Sequence, residues 1–516
     1  MKNLQKSNKH SALIFSLVGL LMMTSIACTN LDEEVYGRIP ADSFGSTQAE
    51  MNALIGPIYR TLPAWWSSYH VFLSEIAGEM AIVPTRRGGD YWNNGMYKEL
   101  RQHSWTPDNG RIAPSYNAMM TGITTCNRIY KTVEQSNIPD KEMVLAEIRG
   151  VRAFWYYTLV DHYGNVPLVT DFAETDLPVT TKRDVIYKFI VDELNAIKDL
   201  LNPTVSSATY GTFTKGAAYA LLAKMYLNAE VWNPAGGAKW QECMNACDVV
   251  MSLNYKLETD WRKNFTVDNH NSTEIIFPIV FSKETGGFTV HRFTLHYNSA
   301  VFLSLNTTCN NGLSANPDFV NMFDPDDRRF GWSFLLGPNT DPVTGEVLLT
   351  AHGNPLIFTI DIPLIESSID ADGWGQVEQE TGARCWKWEI VKGAIANLDN
   401  DFALFRLADI YLMKAECLVR LGRDNDVATN LVNTIRSRVF DSAEKLKSSV
   451  TLDDIYTERR FEMAWEGYSR QDMIRFGTFL KPSFLKPHVS NAKYLLFPIP
   501  QTALNANPKL TQNPGY

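Results

Sequence analysis

The sequence predicts a mainly α-helical protein: a scaffold of stacked helix pairs, interrupted by a long insertion of loops and short strands. Three observations carry this. Apolar residues recur at helical spacing in seven segments, most of them with recognisable start or stop signals. Three of those segments repeat one small-then-aromatic spacing. Between about residues 265 and 400 the helical rhythm fails, and clusters of Gly, Pro and Asn take its place.

In the first helix, from Met143 to Tyr163, Leu145, Ile148, Arg152, Trp155, Leu159 and His162 step along one side, and Gly164 ends it. Thr181 to Leu201 is the second; Thr181 can cap its start, and Asn202-Pro203 stops it. The third runs from Thr214 to Glu230, capped by Thr214 and rich in alanine, and the fourth from Trp240 to Leu253. Phe402 to Leu421 reads as a long amphipathic helix ended by Gly422. Asp426 to Arg438 and Leu452 to Arg475 follow.

Ala153-x-x-Tyr156, Ala223-x-x-Tyr226 and Ala408-x-x-Tyr411 echo one another. A small residue lets a neighbouring helix approach, and the tyrosine fills the space beside it. Paired helices stack in this way in tetratricopeptide-like solenoids. The echoes have no fixed period, so the repeats are degenerate and carry insertions. The insertion holds a strand-like run, Glu274 to Phe281, then Gly286-Gly287, Asn310-Asn311-Gly312 and Gly337-Pro338-Asn339. Loops on a rigid frame are where binding residues concentrate.

The N-terminus reads as an export signal. Lys2, Lys6 and Lys9 precede an apolar run from Ala12 to Met23, then Thr24-Ser25-Ile26-Ala27-Cys28. The run falls short of the ~20 apolar residues that span a bilayer. A small residue before a cysteine resembles the lipobox of bacterial lipoproteins, in which Cys28 would be acylated and become the first mature residue. Acyl chains anchor by burying CH₂ groups, at ~0.8 kcal/mol each. Asp32-Glu33-Glu34 behind it reads as an acidic tether, and resembles the signal that sends lipoproteins of the Bacteroidetes to the cell exterior.

Removing the three leader lysines takes the formal net charge from -9 to -12. An acidic chain without a basic block argues against nucleic acid as a partner. Six cysteines remain besides Cys28, in no compact disulfide framework, and buried free thiols are the expected state. Cys243 and Cys247 share a helix face, but no second ligand-like spacing suggests a zinc site. No cofactor or metal motif appears, nor a Ser-His-Asp or P-loop signature.

Four stretches together make a more specific pattern. They are Glu147 to Pro167; Phe405-Arg406-Leu-Ala-Asp409-Ile-Tyr411 to Glu416; Glu458-Arg459-Arg460-Phe-Glu462 to Gly467, with Asp472 to Gly477; and the ending from Phe497-Pro-Ile-Pro500 to Tyr516. In this order, behind a lipobox, they resemble the SusD/RagB family of outer-membrane nutrient-binding lipoproteins over essentially the whole mature chain. The resemblance implies a scaffold of about four tetratricopeptide-like units. It implies an oligosaccharide or other nutrient as ligand, and no catalysis. It also implies a SusC-like TonB-dependent barrel as partner, and an outer-membrane location through the lipid anchor. The organisation that follows is a signal peptide over 1–27, a lipidated tether over 28–45 and one domain over 46–516. That domain has a helical part (46–264), the insertion (265–400) and C-terminal helices with a tail (401–516). A peptide-binding member of the RagB type is the alternative function. An anchored enzyme on a helical toroid is a third possibility. It would need six or more regular helical hairpins, which the irregular middle does not supply.

Glu462 and Glu466 share a helix face and are close enough to imitate a glycosidase pair. Arg459, Arg460, Arg470 and Arg475 nearby point instead to structural ion pairs. A sugar ring offers an apolar C–H face edged with hydroxyls, so its site needs flat aromatics and planar polar groups. Arg86-Arg87-Gly88-Gly89-Asp90-Tyr91-Trp92-Asn93-Asn94-Gly95 supplies both in a loop. Trp92 with Asp90, Asn93, Arg86 and Tyr91 forms the leading candidate cluster. The competing reading has Trp92 plugging the loop onto the scaffold and an arginine paired with Asp90. Secondary candidates are Trp332, Trp374 and Tyr297 in the insertion. Trp374 lies between Gly373 and Gly375, a setting that suggests exposure. Trp386 and Trp388, and Trp65 with Trp66, read as core.

Overall fold

The computed structural model describes residues 47–67, 70–284 and 286–516. Cys28, the signal segment and the acidic tether lie outside the described residues.

The first helix, α1 (Gln48–Tyr59), starts on a capping box: the Glu50 N–H donates to Thr47 Oγ1 and the Thr47 N–H to Glu50 Oε2. A short helix, α2 (Met96–Gln102), follows a loop described below. Then come four helix pairs in chain order. They are α3 (Ile112–Glu134) with α4 (Lys141–His162), and α5 (Arg183–Ile197) with α6 (Lys215–Leu227). The third is α7 (Trp240–Ser252) with α8 (Leu407–Arg420), and the fourth α9 (Asn425–Arg436) with α10 (Leu452–Glu462). The insertion falls inside the third pair. Helix α3 packs along α4, α4 along α5, α6 along α7, α7 along α8, and α8 along α9 and α10. This is the tetratricopeptide-like stack that the echoes suggested.

Close approach between helices depends on small residues. A β-carbon at Gly122 of α3 would fall 2.3 Å from the Trp155 ring of α4, and one at Gly150 would fall 2.2 Å from Phe213. Glycine in a helix costs roughly 0.5–1 kcal/mol, and burying a large aromatic side chain repays about 1.5–3 kcal/mol. Ala153, Ala223 and Ala408 are all buried. Tyr156 is buried too, while Tyr226 and Tyr411 lie half-buried at the edges of the stacks. The six cysteines among the described residues are free and buried.

Three helix boundaries differ from the sequence reading. Phe402–Arg406 is not helix but a strand, antiparallel to Ile275–Ile279, with Phe405 opposite Phe277. Every residue of both strands is buried, so burial on two faces overrode the helical pattern. Thr181 does not cap α5. It pairs in a short strand with Val166, and the Arg183 N–H donates to Asn165 Oδ1 instead, at 2.9 Å. The segment Leu452 to Arg475 is two helices, α10 and α11 (Ser469–Arg475). Trp465 (φ 67°) and Gly467 (φ 85°) turn the chain between them.

Glu462 and Glu466 lie at that break, fully buried. Glu462 pairs with Arg406 (2.6 Å), Arg438 (2.9 Å) and Arg329 (2.9 Å); Glu466 pairs with Arg406 (2.7 Å) and Lys387 (2.5 Å). Burial opposes ionisation of Glu462, yet the three guanidiniums outweigh it and hold its pKa well below the usual carboxylate range. The ion pairs are structural, as expected, but the partners are other than the four arginines named from the sequence. Arg459 binds Asp409 and Asp472, Arg460 binds Glu79, Arg470 binds Asp161, and Arg475 binds Glu416 and Asp472.

Candidate functional site

Two strand pairings fix the loop ahead of α2 against the insertion. Strand β1 (Ala81–Ile82) runs antiparallel to Ser314–Ala315, and β2 (Thr85–Arg86) runs parallel to Gln376–Val377. The loop from 87 to 95 leaves β2 and returns into α2. Gly88, Gly89 and Gly95 adopt positive φ, and so do Tyr91 (63°), Asn93 (42°) and Asn94 (53°). Asparagine tolerates that region, but tyrosine pays about 1 kcal/mol or more there. Such a backbone persists only when its surroundings over-determine it.

Arg86 does much of that. Its guanidinium is fully buried and donates to the carbonyls of Asn311 (3.0 Å), Thr381 (2.9 Å) and Gly312 (3.3 Å) and to Ser314 Oγ (2.7 Å). Its backbone N–H donates to the Asp90 carbonyl, and its carbonyl accepts from Gly89. The sequence placed Arg86 in ligand contact; the structure corrects this, because its side chain is spent inside the protein. Nor does either arginine pair with Asp90. Arg87 pairs with Glu378 at 3.0 Å, and Asp90 accepts a hydrogen bond from the Tyr297 hydroxyl. Burial, then the Asp90 carboxylate, pushes the Tyr297 pKa up, so this hydroxyl stays a donor. Tyr91 is half-buried, edge-on to Phe293 at 5.6 Å. The loop and the insertion are thus locked together through Asp90–Tyr297 and Tyr91–Phe293.

Trp374 is buried, not exposed (3% accessible), and forms a small core with Ile82, Ile362 and Val377. Flanking glycines let the backbone turn there, but the indole points inward, donating to Thr85 Oγ1 at 3.4 Å. Trp332 is half-buried, stacked at 5.8 Å on Trp261, whose Nε1 donates to Glu462. It belongs to the cover of the ion-pair core and lines neither cleft described next.

Trp92 is 45% exposed. On its side of the loop lies a cleft of about 580 Å³, lined by Trp92, Asn94, Lys98, Gln102, Asp372 and His488 among others. A second cleft of about 600 Å³ is lined by Asn93, Asn94, Glu99, Thr106, Asp108 and Arg111 among others. Asn94 and Glu99 line both, so the two clefts adjoin at the loop tip and are together the Trp92 groove. Its far wall is the 370–374 turn, held to α2 by Lys98 Nζ, which lies 2.7 Å from both Asp370 and Asp372. One exposed indole stands beside amides, hydroxyls and carboxylates. That arrangement can stack on an apolar ring face and hydrogen-bond around its edge. Of the residues expected from the sequence, Trp92 and Asn93 line the clefts; Lys98, Gln102 and Asp372 line them too and were not among those expected. The four-residue spacing of Lys98 and Gln102 on α2 was the available signal.

Comparison with known proteins agrees with this architecture. A family model described as "SusD family" matches residues 252–516, and one described as "Starch-binding associating with outer membrane" matches residues 36–227. The chain is similar to the starch-binding protein SusD of Bacteroides thetaiotaomicron, 28% identical over 471 residues and covering 81% of each chain. It is 22% identical to SusD-like protein P2 of Formosa agariphila, covering 96% of this chain and 98% of the other. Among solved structures, a SusD superfamily protein of Parabacteroides distasonis superposes with a TM-score of 0.73 at 21% identity, covering 91% and 100%. Surface glycan-binding protein A of Bacteroides thetaiotaomicron, in complex with laminarihexaose, gives 0.71 at 19% identity, covering 90% and 99%. With half the chain matched by the first model and the helix-pair scaffold shared throughout, this protein belongs to the SusD/RagB family.

Proposed function

We propose that this protein binds an oligosaccharide at the cell surface along the Trp92 groove and delivers it to a SusC-like TonB-dependent transporter, without chemistry of its own. One observation carries the reading: an exposed indole on a rigid loop, lining one of two adjoining polar clefts. Two adjoining clefts suit a chain of sugars better than a single enclosed cavity would. Relatives named for starch or glycan binding support the same class of ligand. In this reading Trp92 and Asn93 touch the ligand together with Asn94, Lys98 and Gln102. Asp90, Tyr91 and Tyr297 hold the loop from its other side, and Arg86 and Trp374 support it from within. Trp332 is not assigned to the groove. Glu462 and Glu466 have no part in catalysis, because both are buried and ion-paired.

The leader supplies the rest of the proposal. Residues 1–27 direct export, Cys28 carries the lipid, and 28–45 tether the domain to the exterior face of the outer membrane. Titration calorimetry of the form starting after Cys28, against a polysaccharide panel and a peptide digest, tests the ligand class. Saturable heat with one glycan class is expected. Binding to peptides alone would replace the reading with the RagB-type one. Cys28→Ser should leave the outer-membrane fraction, and normal fractionation would count against lipidation.

A further inference from the structure

Resting on the glycan reading above, we infer that the groove selects a neutral glycan and discriminates against chains bearing carboxylate or sulfate. The fixed charges of the two clefts are three cations, Lys98, Lys486 and Arg111, against the carboxylates of Glu99, Asp108 and Asp372, with Asp370 beside them. Every one of those cations is already engaged. Lys98 sits between Asp370 and Asp372 at 2.7 Å from each. The Arg111 guanidinium donates to Tyr97 Oη at 2.6 Å and lies 5.0 Å over that ring. Lys486 is buried and donates to the carbonyls of Phe479 (3.0 Å) and Lys481 (2.6 Å); burial lowers its pKa to about 8.

The acids are placed the other way. Asp372 and Asp108 are exposed, one in each cleft, so they face whatever enters. A ligand anion would lose water, would gain no cation that is not already bonded within the protein, and would meet two like charges. Hydroxyls meet no such obstacle: carboxylates accept from them, and Asn93, Asn94 and Gln102 both donate and accept. His488, exposed at the rim, is the remaining lining group that can carry positive charge.

The test uses the lipid-free chain and matched pairs. Each pair is a neutral oligosaccharide and the same backbone with its primary hydroxyls oxidised to carboxylates. The neutral member should bind, and the oxidised member should bind about tenfold more weakly or worse. The gap should narrow at high salt and in Asp372→Asn and Asp108→Asn, and persist in His488→Ala. An oxidised member that binds equally or more tightly overturns this inference and leaves the glycan reading standing. Absence of binding to every member overturns the glycan reading and this inference with it.

Discussion

Trp92 closes over Gly95. A β-carbon on Gly95 would stand 3.5 Å from Cη2 and 3.8 Å from Cζ2 of the indole. The ring is therefore backed by main chain while nearly half of it stays open to solvent. A flat ring held from behind is what stacking on a pyranose face requires. Trp92→Ala should weaken glycan binding by at least about 1 kcal/mol, roughly fivefold or more. The circular dichroism spectrum should not change, because no core contact is lost. Unchanged affinity with an intact fold would remove Trp92 from the site.

Lys98→Met tests the far wall of the groove. Asp370 uses one oxygen for Lys98 and the other for the N–H groups of Asp372 and Trp374, at 3.0 Å each. Both aspartates are substantially exposed, so the pairs are worth about 0–1 kcal/mol at most and Tm should barely move. The local effect should be larger. Amide exchange at Asp372 and Trp374 should quicken and ligand affinity should fall. A large drop in Tm instead would mean that the clamp supports the fold as a whole.

The scaffold was legible because its signals are local. Caps such as Thr214, stops such as Gly164 and the Ala-x-x-Tyr echoes all act within a few residues. What escaped depends on distant partners. Phe402–Arg406 is a strand only because Ile275–Ile279 lies beside it. The N-terminus of α5 is satisfied by Asn165, outside the helix. In the site, exposure of Trp92 followed from its polar loop. The burial of Arg86 did not, since its acceptors are carbonyls more than 200 residues away. Trp374 failed for a related reason: flanking glycines describe the backbone, and the direction of the indole is set by Ile82 and Val377.

Arg406 is the cation on which the buried ion-pair core turns. It bonds Glu274 (3.0 Å), Glu462 (2.6 Å) and Glu466 (2.7 Å), all of them buried. Arg406→Met keeps much of the side-chain volume but leaves three buried carboxylates short of charge. Breaking a buried pair from one side costs about 3–5 kcal/mol. Denaturant unfolding of the variant should show a loss of that size. A loss below about 1 kcal/mol would mean that the remaining cations, Arg329, Arg438 and Lys387, suffice without it.

Glu75 should make stability fall as pH rises. It is buried; Oε1 accepts the Gly467 N–H at 2.6 Å, and Oε2 has no hydrogen-bond partner among the described residues. Burial raises its pKa to about 8, with the Gly467 N–H pulling the other way. An unfolded glutamate titrates near ~4.3. Between those values the folded chain holds a proton that the unfolded chain has released. The native state is therefore penalised increasingly with pH, by up to about 1.4 kcal/mol per pH unit from this group. Glu75→Gln keeps the acceptor for Gly467 and removes the titration. The difference in unfolding free energy, variant minus wild type, should grow between about pH 5 and pH 8. Asp161 does not blur the comparison. Burial opposes its ionisation, but Arg470 and His162 prevail and bring its pKa down to about 2. Its contribution is present above ~3.9 and is lost only as pH falls below that, outside the window. Parallel pH profiles for the two proteins would show that Glu75 is ionised in the folded state.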